Sequence, residues 1–160
     1  MERFQQSLKE SIKHLQIADH MAYVTFPLVN DRRLLLKIFE EIYKSIIFSI
    51  DTAVDIEKLE KKEINEDFVI AFLNKYSNKY NLSNEKINKI SEIMELNKKH
   101  KKSAMEFVRK DKIIIMSNNL GIHALNINDI KDYLSLAKEI IMKINKKFKE
   151  KEGDSISLNI

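Results

Sequence analysis

Residues 112–127 read KIIIMSNNLGIHALNI, and here the chain abandons the helical period that it keeps elsewhere. Ile113, Ile114 and Ile115 are β-branched and suit a pleated strand; a polar turn containing Gly121 follows, then a second apolar run. Two such runs around a glycine-bearing turn predict a β-hairpin over 112–127. A lone hairpin is marginal in water, so this one needs a larger body to pack on or another chain to pair with.

The flanking sequence supplies that body. Upstream, Phe4, Leu8, Ile12, Leu15, Ala18, Ala22 and Phe26 recur at steps of three and four, predicting a helix from about residue 3 to 26. Pro27 is expected to stop or kink it, and Asn30 or Asp31 to cap the next. That second helix runs to about Glu63, with Leu35, Ile38, Phe39, Ile42, Ile46, Ile50 and Ala53 facing inward. A shorter helix covers about 65–79 on Phe68, Phe72 and Tyr76. Ser83 caps a fourth, expected to reach about Lys110 on Ile87, Ile90, Met94, Leu96, Ala104 and Phe107. Beyond the hairpin, Asn128 is placed to cap a fifth, about 129–150, with Ile130, Leu134, Ala137, Ile141, Ile144 and Phe148 as its seam. The expected fold is mainly α: an antiparallel helical bundle of about five helices with one β-hairpin between the fourth and fifth. A single domain over 1–150 and a C-terminal tail over 151–160 complete the expectation.

Composition agrees and excludes much. A chain of 160 residues with 44% hydrophobic residues can bury one real core, and two glycines and one proline leave little for tight turns. P-loop and dinucleotide fingerprints need several glycines and are excluded. The residues three before each histidine are Ser11, Ile17, Asn97 and Leu120, so no Glu-x-x-His pair exists for a di-iron centre. No serine sits in a Gly-x-Ser-x-Gly turn, and without cysteine there is no thiolate site. No metal and no cofactor are expected. No apolar run spans a bilayer, and the N-terminus lacks a secretory core, so the reading is a cytoplasmic protein with no membrane partner.

Three groups of residues carry the candidate chemistry. Gln16, Asp19, His20 and Tyr23 form a narrow polar strip on an otherwise apolar first helix, and Arg32 and Arg33 open the second. Brought together, they would make an anion-binding or polar site at the turn between the two helices. Ile17, Met21 and Val24 form a second apolar stripe, and Phe48 interrupts the charged outer face of the second helix. Surplus apolar surface of this kind predicts a homodimer interface. Charge is uneven: residues 1–97 carry 14 Lys/Arg against 16 Asp/Glu, and residues 98–160 carry 14 against 8. KKHKKSAMEFVRKDK (98–112) concentrates Lys98, Lys99, Lys101, Lys102, Arg109, Lys110 and Lys112 into a basic ridge for RNA or an acidic partner. The ridge lacks interleaved aromatics, so any nucleic-acid contact would be to backbone and tolerant of sequence.

The segments SLKESIKHLQIADHMAYVTFPLVNDRRLLLKIFEEIYKSI (7–46) and HKKSAMEFVRKDKIIIMSNN (100–119) resemble those of small archaeal helical proteins, and the layout is similar to the HEPN superfamily. That resemblance implies an antiparallel helical bundle, often dimeric, found among ribonucleases and partners of nucleotidyltransferases. The catalytic mark of the superfamily is an arginine followed, after four to six residues, by a histidine. Arg3 lies too far from His14, Arg32 and Arg33 have no nearby histidine, and the hairpin turn separates Arg109 from His123. The resemblance therefore implies a non-catalytic relative. The leading reading is a non-enzymatic binding module for RNA or an acidic partner. Its alternatives are a nuclease or phosphate-handling enzyme using His20, Asp19, Arg32 and Arg33, and a protein-interaction scaffold.

Overall fold

The computed structural model describes residues 2–60, 62–118 and 121–152. Helix α1 (Glu2–His20) lies along α3 (Leu34–Ile56), burying Leu8, Ile12, Leu15 and Ala18 against Leu35, Ile38, Ile42 and Ile46. Small hydroxyl residues let the two backbones approach. Ser11 Oγ donates to the Ser45 carbonyl at 2.7 Å, while Ser45 and Ser49 bond back to Ile42 and Ile46. Each buried hydroxyl is satisfied, which removes the cost of placing it in the core. Against this pair pack α5 (Asn84–Lys101) and α6 (Ile127–Glu152), whose Ile130, Leu134, Ala137, Ile141, Ile144 and Phe148 are buried, and α4 (Glu66–Tyr76) packs on α5. The fold is mainly α, as the periodicity requires. No helix of the described residues is long and apolar enough to cross a membrane.

Pro27 does not end the first helix. A π turn (Met21–Thr25) is followed by the short α2 (Phe26–Val29), with Pro27 in its first turn. In a regular helix the proline ring would press on the Tyr23 carbonyl and offer it no donor. In the wider turn the Phe26 amide reaches back to the Met21 carbonyl, and the conflict is relieved. The helix stops at Asn30, whose φ of 56° is left-handed, a region that asparagine tolerates. Neither Asn30 nor Asp31 caps α3 by side chain; Asp31 accepts the Arg33 amide at 3.0 Å one position early.

Other boundaries also shift. α3 ends at Ile56, short of Glu63, because left-handed Lys58 turns the chain so that the Leu59 amide returns to the Val54 carbonyl. Asn65 and Ser83 cap α4 and α5. At α6 the cap is Asn126 rather than Asn128: Asn126 and Asp129 exchange side-chain to amide bonds, both 2.9 Å, in a reciprocal box. The expected C-terminal tail lies outside the described residues from 153 onward.

The largest correction concerns residues 103–109, expected to continue the fourth helix. They form β1 (Ser103–Arg109), antiparallel to β2 (Lys112–Ser117), which pairs with β3 (Ile122–Leu125). The hairpin over 112–127 is therefore two strands of a three-stranded sheet, in the order β1-β2-β3. A central strand with Ile113, Ile114 and Ile115 all buried needs partners on both edges, and β1 supplies the second. Register places Ile113, Ile115 and Leu125 on the bundle side, within the common core. Met105, Phe107, Ile114, Met116 and Ile122 share the opposite side, turned away from it.

Candidate functional site

The polar strip of the first helix is engaged with α6, not with the arginines. Asp19 binds Lys138 at 2.6 Å, and the Tyr23 ring carries the Lys131 and Lys138 ammonium groups at 5.1 and 5.8 Å from its centre. Gln16 and His20 are exposed on the same helix. Of the expected interface residues, Ile17, Met21 and Phe48 are half-buried, Phe48 with its ring stacked on His14, while Val24 is exposed.

Arg32 and Arg33 instead meet the sheet. Val29, Asn30, Asp31, Arg32 and Arg33 line an open depression whose other wall is Val108 and Lys110, at the tip of the β1–β2 hairpin. Left-handed Asn30 makes the corner that turns these residues towards it. Arg33 forks onto Asp31, with both contacts at 3.2 Å, and holds that carboxyl below its ordinary range. Arg32 donates to the Asn30 carbonyl at 2.9 Å, while its buried Nε has no hydrogen-bond partner among the described residues. Leu28, the residue before Val29 in α2, is 81% exposed.

The basic ridge divides in two. Lys98 is bound to Asp67 at 2.7 Å, Lys99 donates to His123 Nε2 at 2.5 Å, and Lys101 binds Glu66 at 2.9 Å while lying over the Tyr43 ring. These three are structural. The side chains of Lys102, Arg109, Lys110 and Lys112 are exposed and form no ion pair or hydrogen bond among the described residues. Arg109 and Lys112 are cross-strand neighbours closing the turn that holds Lys110. Arg109, Lys110 and Lys112 therefore gather at the hairpin tip, where Lys110 shares the depression with Arg32 and Arg33, and Lys102 lies at the other end of β1.

Two polar clusters brace this end of the molecule, and periodicity did not reveal them. His100 donates from Nδ1 to Glu106 of β1 at 2.5 Å and lies 3.1 Å through Nε2 from Glu40 of α3. Burial disfavours its charged form, but the two carboxylates outweigh that and raise its pKa above the ordinary value. Glu66, buried at the start of α4, accepts from Asn97 and Lys101, both at 2.9 Å. Burial alone would raise its carboxyl, yet these bonds hold it at about 2. The spacing of His100 and Glu106 would be a usable signal only once 103–109 is known to be a strand.

A second concavity lies between α5, β3 and α6. His123, Lys99, Glu92, Glu95 and Tyr133 line it. Burial and the neighbouring Lys99 ammonium lower the His123 pKa, which favours a neutral ring whose Nε2 accepts a hydrogen bond from Lys99. Burial and nearby carboxylates push the Tyr133 hydroxyl up to about 12. No group of three or more metal-ligating side chains converges among the described residues. The chain matches no protein-family model, and no curated protein is similar to it.

Proposed function

We propose that this is a cytoplasmic, non-enzymatic binding module that recognises an acidic protein partner at the corner between α2, α3 and the hairpin tip. The observation that carries this reading is the shared depression of Arg32, Arg33, Lys110 and Val108. Arg32 and Lys110 carry no ion pair there, while Arg33 is held by Asp31, and Lys98, Lys99 and Lys101 already have internal partners. Val29 and Val108 give this surface an aliphatic part, and its lining offers no aromatic platform on which a base could stack. Charged and aliphatic side chains side by side suit a protein-recognition surface better than a base-stacking one. The HEPN-like layout supports the same reading, since the Arg/His pair of catalytic members is missing.

The test is fluorescence anisotropy with a labelled acidic peptide and, separately, single-stranded RNA, at low and high salt. The peptide should bind, and Arg32→Glu with Lys110→Glu should weaken it at least about tenfold, equivalent to ~1.4 kcal/mol. RNA should compete poorly. Peptide binding unchanged in the double variant, or RNA binding alone, would refute the assignment.

A further inference from the structure

β1 is the edge of its sheet: it pairs with β2 alone, and its other side has no strand partner among the described residues. In an antiparallel ladder, alternate residues of an edge strand turn their amides and carbonyls outward. Such edges are usually guarded by charged side chains, bulges or covering segments. This one is poorly guarded along its middle. Glu106 is turned inward to His100, and Ala104, Met105, Phe107 and Val108 are apolar, with Met105 56% and Val108 44% exposed. The irregularity in pairing lies at its start, between Ser103 and Met105, and leaves 105–109 in regular register.

The ends decide what can pair there. Lys102 precedes the strand, and Arg109, Lys110 and Lys112 surround its far end beside Arg32 and Arg33. A second copy laid antiparallel on β1 would set the cations of one end against those of the other. Like charges across a ladder are destabilising, so self-pairing is opposed. An extended segment with acids at both ends and an aliphatic centre meets the opposite situation: its carboxylates find cations at each end, and its centre extends the apolar side formed by Met105, Phe107 and Ile114. Building on the acidic-partner reading, we infer that β1 accepts such a segment as a fourth strand. Main-chain bonds supply affinity, and the basic ends supply selectivity.

The experiment uses the whole chain, isotope-labelled, and three synthetic peptides. Asp-Glu-Val-Ile-Val-Glu-Asp is the probe; Val-Asp-Glu-Ile-Glu-Asp-Val has the same composition with the pattern inverted; Asp-Glu-Val-Pro-Val-Glu-Asp removes a central donor. The probe should bind at least about tenfold more tightly than either control. Amides of alternate residues within 104–108 should become at least about tenfold slower to exchange when it is bound. Equal binding of all three peptides, with β1 exchange unchanged and binding still lost in the Arg32→Glu, Lys110→Glu variant, would overturn strand addition and leave the acidic-partner reading standing. Failure of every peptide at low salt would overturn both. Displacement of the probe by single-stranded RNA with the same exchange pattern would replace the protein segment with nucleic acid.

Discussion

His100 Nδ1 lies 2.5 Å from a carboxylate oxygen of Glu106, so the last turn of α5 is tied to the middle of the edge strand. The other ring nitrogen lies 3.1 Å from Glu40, which draws α3 into the same contact. One imidazole ring therefore joins three elements beside the proposed docking edge. Because its folded pKa is raised above the ordinary 6.5, its stabilising contribution is complete below that value. It declines as pH rises through the raised folded value. Urea midpoints measured across this range should fall on the alkaline side in the native chain, and His100→Gln should flatten the dependence. An identical profile in the variant would remove His100 as its source.

Glu66 works in the opposite direction. Its folded pKa of about 2 lies below the ordinary 4.5, so its contribution is present above 4.5 and is lost as pH falls towards 2. Asn97→Ala takes one donor from this buried carboxylate and should cost about 1–3 kcal/mol at neutral pH. Chemical denaturation of the variant, repeated in acid, should show its deficit shrinking as Glu66 becomes protonated.

The two sides of the sheet should respond very differently to truncation. Ile115 is fully buried in the common core, whereas Ile122 is 62% exposed on the outer side. Ile115→Ala should cost roughly 2–5 kcal/mol, from lost burial and the cavity left behind. Ile122→Ala should change stability by no more than about 0.5 kcal/mol. Thermal unfolding of both variants measures the contrast, and equal losses would mean that the outer side is covered.

The bundle was legible because burial of Leu15, Ile42 and Ile141 follows directly from their helical spacing. The edge strand was not. Ala104 and Phe107 keep a helical step, no breaker separates Lys101 from Ser103, and the strand state comes from pairing with the isoleucines of β2. The partner of Asp19 lies 119 residues away on Lys138, so the polar strip is visible in the sequence but its contacts are not. Sequence groups Arg32 and Arg33 with the polar strip of the first helix, whereas Lys110 joins them in the structure only because the chain reverses at the hairpin tip. The ridge was visible as composition. Its division into bound and available cations depends on Asp67, His123 and Glu66, none adjacent in sequence.

Lys110 combines a backbone cost with the proposed binding role. Its φ of 56° places a side-chain-bearing residue in the left-handed region, where glycine sits without strain. Lys110→Gly should relieve that strain and, after the greater freedom of glycine in the unfolded chain is subtracted, stabilise the fold by about 0.5 kcal/mol. The same change removes a cation from the depression shared with Arg32 and Arg33, so affinity for an acidic peptide should fall. Lys110→Met separates the two effects, because it keeps the backbone strain and loses only the charge. It should match Lys110→Gly in weakened binding while leaving the unfolding midpoint near that of the native chain. Paired denaturation and anisotropy measurements on both variants check this. A glycine variant that is more stable and binds the peptide undiminished would show that Lys110 has no part in recognition.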